Sequence, residues 1–528
     1  MSHQLPEITR RGLLGSGAAI SAAAIAGCIG GGGNDDGGNE LFFTQEKGWA
    51  YGFDPIVANG VPTAQVNGQI YESLYTYNED ATDTLVPVLA DGEPEVSDDG
   101  LTWTVGIKDE ATFQNGDDVT AEDVKYSFEA PVKEETENAA EVNMIDSIEA
   151  VDDKTVKFTL QYPYAAFNTT VTASVVPKSE REGSEDFGHN PVGSGPFQWV
   201  EWEDGQYVLL ERWDDYWGEQ TPNISGVEFD FVTEQSTRVT GLETGESDVI
   251  ETVPPQLWKD VENMDNASIV SSLGIGYFYL AFNCNEGPTA DPQVREAVDY
   301  VFSMDDAIES FVKPAGVRQY SPFPKSVVEA WDFPADQWAE IPHDRDIDQA
   351  TQLFEDAGIS MDYSWNIIVP PDDMREAIGQ SVSNGLKEVG FNNVTFERLE
   401  WGTFLELYAT GSEDDYNIYT LGWSGSPDPE AFTYYLFAQE LEGSTNGTYY
   451  RNDEVDQLIV DAREETEKEA RREMYIEATN TILEDRAHIP AYNTYNSYGV
   501  ANYVNDFASN PSAAIIPLAT NYNNVGVE

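Results

Sequence analysis

Three short runs decide how this chain is read: Trp365-Asn366-Ile367-Ile368-Val369, Val394-Thr395-Phe396-Glu397 and Tyr416-Asn417-Ile418-Tyr419-Thr420-Leu421. Each is rich in β-branched and aromatic residues and flanked by turn residues, the pattern of a strand. Between the first two, Met374, Ile378, Val382, Leu386 and Val389 recur at helical spacing and stop at Gly390, which makes one apolar helix face with a glycine end. A shorter helix spans Phe404 to Tyr408, ahead of the third strand. Strand, helix, strand, helix, strand over 364–423 predicts a parallel α/β lobe. Ligands of such lobes bind outside the carboxyl ends of the strands. The loop that leaves the third strand is Gly422-Trp423-Ser424-Gly425-Ser426-Pro427-Asp428-Pro429. It joins turn residues to a Trp and is the first candidate for a binding loop.

Upstream, Leu41-Phe42-Phe43-Thr44 predicts a first strand, and Leu101-Thr102-Trp103-Thr104-Val105 another after the turn Asp98-Asp99-Gly100. Thr120-Ala121-Glu122-Asp123 is a capping box that opens a helix through Val124 and Phe128. The strand Tyr277–Phe282 precedes a helix with Asp291 as N-cap, Pro292 at its first position, and Val294, Ala297, Val298 and Val301 on one face. A helix through Ile347, Ala350 and Phe354 closes at Gly358, and a long helical stretch runs from Val455 to Ile482. There are no internal repeats.

A chain of 528 residues exceeds one core and predicts two or three domains. The formal charge is −69, and the acids are mixed throughout with Trp, Tyr, Val and Ile rather than gathered in a tail. Such a surface repels nucleic acid and anionic membranes. It also repels itself, unless salt near 1 M shortens the Debye length to about 3 Å. The composition resembles that of secreted haloarchaeal proteins, and the expected environment is one of high salt.

The first 27 residues read as an address. Thr9-Arg10-Arg11-Gly12-Leu13-Leu14 is a twin-arginine export motif. The stretch Gly12–Ala26 is too short to span a bilayer. Ile25-Ala26-Gly27-Cys28 then matches a lipobox, in which the Cys28 thiol takes a lipid. Residues 28–40, rich in Gly, Asn and Asp, form a flexible tether. The other cysteine, Cys284, is expected to be buried. Sequons at Asn168, Asn266 and Asn446 lie in segments that look exposed, with further ones at Asn223 and Asn393.

Enzyme chemistry leaves no mark. The mature chain has three histidines, His189, His343 and His488, none at metal-ligand spacing. No nucleophile elbow or phosphate loop occurs, and Gly193-Ser194-Gly195-Pro196 reads as a tight turn. Pairs such as Asp117-Asp118 and Asp414-Asp415 arise freely among 96 acids and do not define a glycosidase dyad. No cofactor, catalytic residue or metal site is expected.

Several segments, taken in order, resemble the family 5 extracellular solute-binding proteins, the dipeptide, oligopeptide and nickel binders of ABC transporters. They are Gly60-Val61-Pro62, Asp99–Thr104, Phe113-Gln114-Asn115-Gly116, Thr120–Val124, Gly193–Phe197 and Asp291–Ala297. The resemblance covers residues 41–528. It implies an α/β fold of the two-lobed periplasmic-binding type, with a hinge and an additional inserted α+β domain. Lobe one would be 41–75, 196–285 and 498–528, the insertion 76–195, and lobe two 286–497. It further implies ligand contacts from Asn59 and Val61 in an early loop, from Trp401, and from Trp423 and Ser424. Peptide binders of the family carry an acid three residues past that Trp to hold the ligand's ammonium group. Here the position is Ser426, and Asp428 is the nearest replacement. The implied function is capture of a peptide outside the cytoplasm and delivery to a permease with its ATPases, with a lipid anchor on the outer face of the cell membrane. An oligosaccharide is the alternative ligand, and an extracellular glycoside hydrolase the rival class.

Overall fold

The computed structural model describes residues 39–49, 52–81 and 84–528. The twin-arginine motif, Cys28 and the glycine-rich tether up to residue 38 lie outside the described residues.

A 12-stranded sheet runs through both lobes. The strand that makes it continuous is His488–Ala501. Its first half pairs with Gly276–Phe282 and Gly316–Arg318 of lobe two. Its second half pairs with Ala267–Leu273 and Val249–Glu251 of lobe one. The chain crosses between the lobes at Gly274–Ile275 and again at Thr494–Tyr495. There the Gly274 N–H donates to Thr494 O at 2.9 Å, and Asn493 Nδ2 donates to Gly274 O at 2.7 Å. These crossings adjust the expected boundaries at 285/286 and 497/498. The strand Gly276–Phe282 pairs with Ile418–Ser424 and so is part of the lobe-two sheet.

Lobe two contains the expected unit. Strands Ser364–Val369, Asn393–Arg398 and Ile418–Ser424 are parallel, with helix Asp373–Val389 between the first two and Trp401–Tyr408 before the third. Helices cover both faces, so the strands can be apolar on both sides. Tyr277, Tyr279 and Ala281 pack with the helices of 430–484, while Leu280 and Phe282 pack with those of 292–389. Acids are used at the helix starts, where side-chain oxygens accept orphan N–H groups and negative charge suits the dipole. Asp291 accepts from Gln293, Asp346 from Gln349 and Asp372 from Arg375. The predicted stretch 455–482 is two helices, Asp453–Glu464 and Lys468–Glu484. Glu464, Glu465 and Glu467 crowd like charge at the break, where a helix C-terminus disfavours it.

In lobe one, Glu40–Gln45, Gly226–Phe231 and Val249–Glu251 are parallel. The insertion has its own core under a four-stranded sheet, with Val105, Val156 and Phe158 against Phe128 of the helix Ala121–Lys133. That helix carries the capping box read from sequence. The insertion is fused to lobe one. Phe187 and Val176 join the lobe-one core, Arg181 Nε meets Asp54 Oδ2 at 2.9 Å, and Asn138 donates to Pro55 O at 3.0 Å. Asn446 is fully buried and its side chain donates to Ala438 O, so this sequon is not exposed as expected.

The insertion joins lobe one at Ile70–Tyr75 and Gly193–Phe197. The two linkers press so closely that a Cβ on Gly193 would lie 2.0 Å from Ile70 O, which explains the glycine turn. Glu72 is buried in this junction. Tyr216 donates to its Oε1, and its Oε2 has no hydrogen-bond partner. Burial is the largest influence and pushes the carboxyl up to about 7, against the pull of Tyr216, Ser194 and Lys108. A raised folded-state value means that the neutral acid favours folding. Its contribution is fully present below about pH 4.5 and is lost as pH rises through 7. The expected loss is about 3 kcal/mol by pH 8. Glu72→Gln should melt like the wild type at pH 5 and above it at pH 8. Equal melting at both values would contradict this account of the junction.

Candidate ligand-binding site

Strand register shows which ends of the two lobes face each other. In lobe one, Glu251 is opposite Tyr498 and Val249 opposite Val500, so the carboxyl end of that strand points toward the lobe-two half of His488–Ala501. In lobe two, Phe278 is opposite Tyr492 and Ala281 opposite His488, so Gly276 is the end nearest lobe one. Ser424 is opposite Gly276. The carboxyl ends of both sets of parallel strands therefore converge on the crossings, the place where α/β sheets take ligands.

On the lobe-two side Trp423 is half-buried. Its Nε1 donates to Ala431 O at 2.7 Å, and its ring stacks on Tyr435 at 5.8 Å. Gly422 is required beneath it, because a Cβ there would lie 2.4 Å from the Phe278 ring. Ser424 is exposed at the strand end. Trp401 opens its helix beyond Arg398, is 45% exposed, and stacks on Phe404. These three expected residues share the strand-end rim.

The early loop behaves differently. Val61 is 39% exposed at the start of the helix Val61–Ile70. Asn59 is exposed, and its Nδ2 donates to Glu137 of the insertion at 2.8 Å. The buried polar groups on this side went unread in the sequence. Gln45 donates to Gln65 Oε1 and to Pro62 O, Trp49 Nε1 donates to Gln45 Oε1 at 2.8 Å, and Gln65 donates to Glu251 Oε1 at 2.7 Å. Burial, the largest influence, raises the Glu251 carboxyl above its ordinary value. Gln45 and Glu251 end their parallel strands. The available signal was Gln65 and Gln69 within a helix that otherwise packs in the core. Thr252 follows at φ +57°, a strained backbone for a β-branched residue just past the end of the strand Val249–Glu251.

Asp428 departs from its expected role. It is buried, and its two oxygens accept from Arg471 at 2.9 and 2.7 Å, while Oδ1 also takes the Glu430 N–H at 2.9 Å. The carboxylate is thus committed to fastening the start of the helix Glu430–Phe437 to the helix Lys468–Glu484. In this structure it offers no free oxygen to a ligand ammonium. Glu430 is committed too: Tyr164 Oη donates to its Oε2 at 3.1 Å, and Arg463 Nε lies 3.0 Å from its Oε1 without hydrogen-bond alignment. Burial pushes its carboxyl up to about 7 although Arg463 pulls it down. A groove of about 770 Å³ elsewhere, between Ala121–Lys133 and Lys178–Gly183, is distinct from the strand-end rim. Its charges are largely paired, as in Lys133–Glu129 and Arg181–Glu134.

Two lobes sharing one crossing strand, with the ends of their parallel strands converging on the crossings beside Trp423 and the buried amides, define a two-lobed binding-protein fold. A family model for the bacterial extracellular solute-binding proteins, family 5 Middle, matches residues 84–443. The chain belongs to this family. The glutathione-binding protein GsiB of Pectobacterium atrosepticum is 27% identical over 444 residues, 82% of this chain and 84% of that protein. The oligopeptide-binding protein AppA of Bacillus subtilis is 26% identical over 441 residues, 78% and 79% of the two chains. Among solved structures, the periplasmic binding protein DppA of Helicobacter pylori, in complex with the peptide STSA, superposes with a TM-score of 0.76 at 23% identity, covering 93% of this chain and 98% of that one.

Asp428→Asn should destabilise the ligand-free protein by about 3 kcal/mol, since removing one partner strands the other buried charge. Thermal melting checks this. A variant that melts like the wild type but loses ligand would return Asp428 to the binding role.

Proposed function

We infer that the protein is the extracytoplasmic ligand-binding subunit of an ABC importer. It captures a peptide between its lobes, releases it unchanged to the permease, and is held at the outer face of the membrane by a lipid on Cys28. The observation that carries this reading is the convergence of both lobes' strand ends on the crossings, beside Trp423. Support for a peptide comes from relatives whose names are those of glutathione-, oligopeptide- and D,D-dipeptide-binding proteins. The twin-arginine motif and lipobox support export and anchoring, and the charge of −69 supports a high-salt environment.

One observation favours a second ligand class. Asp428 and Glu430 are both committed within the protein, while Trp401, stacked on Phe404, keeps 45% of its surface exposed. Aromatic faces without a free acid suit an oligosaccharide as well as an apolar peptide side chain.

Native mass spectrometry of the protein released from its host membrane reads ligand and anchor together. The expected masses are a peptide that leaves intact and a lipid-bearing Cys28 at the mature N-terminus. An oligosaccharide would select the second class, a cleaved product would select a hydrolase, and an unmodified Cys28 would remove the anchor. Trp423→Ala should lower the fraction carrying ligand.

A further inference from the structure

Along the chain the insertion is flanked by lobe one, yet it meets lobe two directly: Ala81 and Tyr77 pack with the lobe-two core, and a second buried contact is built around an arginine. Tyr162 and Tyr164 follow the insertion strand Thr155–Leu160. They enclose Arg463 of lobe two, whose guanidinium lies 5.3 and 5.1 Å from their ring centres and 4.0 Å from that of Tyr434. Tyr164 also donates to Glu430, the partner of Arg463. The Arg463 side chain is 13% exposed and that of Glu430 3%. Beside this cluster, a Cβ on Gly100 of the insertion would lie 2.8 Å from Thr466 of lobe two, so the two surfaces are in contact there as well.

We propose that Arg463 and Glu430, gripped by Tyr162 and Tyr164, form a latch that holds lobe two against the insertion and sets how often the ligand-free protein opens. The proposal rests on the reading of the protein as a two-lobed binder that opens to admit ligand. Opening about Gly274–Ile275 and Thr494–Tyr495 carries lobe two away from lobe one. The insertion stays behind, because Arg181–Asp54, the Asn138 bonds and the shared core fix it to lobe one. The Tyr–Arg–Glu contact is then in the path of the motion and must separate. On the lobe-two side the pair is rigidly presented. Asp428 takes the Glu430 N–H and is itself clamped by Arg471, so Glu430 projects from a fixed helix start. Tyr434 stays with Arg463 during opening, whereas Tyr162 and Tyr164 leave it. A cation between desolvated aromatic faces is attracted more strongly than an exposed one. Separation also parts Glu430 from the Tyr164 hydroxyl. The latch thus weights the closed state independently of ligand, and entry waits on its release.

The test is small-angle X-ray scattering of the ligand-stripped protein in high salt, comparing the wild type with Arg463→Met and Tyr164→Phe. Arg463→Met removes the charge, while Tyr164→Phe removes only the hydroxyl and keeps the ring. Melting curves establish that both are folded. The expected result is a larger radius of gyration for both variants, and for Arg463→Met a shift of roughly tenfold or more in the closed-to-open ratio. Folded variants with wild-type dimensions overturn the latch. A mixture of synthetic di- to pentapeptides, added afterwards, probes the underlying reading separately. Variants that expand and then contract with peptide support both ideas. Variants that expand and ignore peptide support the latch and count against peptide as the ligand. Variants that do not expand remove the latch whether or not peptide binds.

Discussion

Backbone hydrogen bonds along His488–Ala501 join two lobes into one sheet, and the placement of both sets of parallel strands follows from that sharing. The register fixes the direction of Val249–Glu251 on one side and of Gly276–Phe282 on the other. Through the latter it fixes Ile418–Ser424, whose carboxyl end bears Trp423. A strand slipped by one residue would turn its side chains to the opposite face. It would take Tyr492, stacked face to face on Phe278 at 4.6 Å, out of the lobe-two core. The convergence of the strand ends is therefore a consequence of pairing in the crossing strand. The chain passes between the lobes at Gly274–Ile275 and Thr494–Tyr495, so the same feature that aligns the lobes leaves a narrow place for them to rotate.

An excess of acid constrains how the interior is stabilised. Most carboxylates face water, where salt can screen them. Four of the buried ones are placed beside scarce cations: Asp428 with Arg471, Glu430 with Arg463, Asp299 with Arg486 and Asp54 with Arg181. Each pair fastens segments distant in sequence. Burying such pairs is costly, and their value lies in the geometry that they impose. Glu72 has no cation in hydrogen-bond contact, and its carboxyl value rises accordingly.

Elements with local signals were legible in the sequence. The capping box at Thr120, Asp291 before Pro292, the glycine stop at Gly358 and the strand–helix alternation of 364–423 all rest on neighbours within a few residues. Long-range pairing was not legible. Nothing in Tyr277–Phe282 states which lobe it joins, because an apolar strand buried on both faces reads alike in either sheet. The role of Asp428 was hidden for a related reason. Its partner Arg471 lies in a helix far along the chain, and an acid before proline carries the same local pattern whether it meets a ligand or an arginine. Gln45, Gln65 and Glu251 come from three separate segments, and only folding gathers them. By contrast, the place of Trp423 and Ser424 near the carboxyl end of a strand was legible, because the strand–helix alternation of 364–423 is a local pattern.

The most direct test of a hinged, ligand-closing protein is the distance between lobes in solution. Spin labels on Val200→Cys in lobe one and Phe311→Cys in lobe two, both exposed positions, can be introduced in a Cys28→Ser, Cys284→Ser background. Pulsed electron resonance then reports their separation before and after addition of the ligand recovered from the native protein. The account predicts a broad or long distribution without ligand that narrows and shortens when ligand binds. An unchanged distribution at saturating ligand would contradict it.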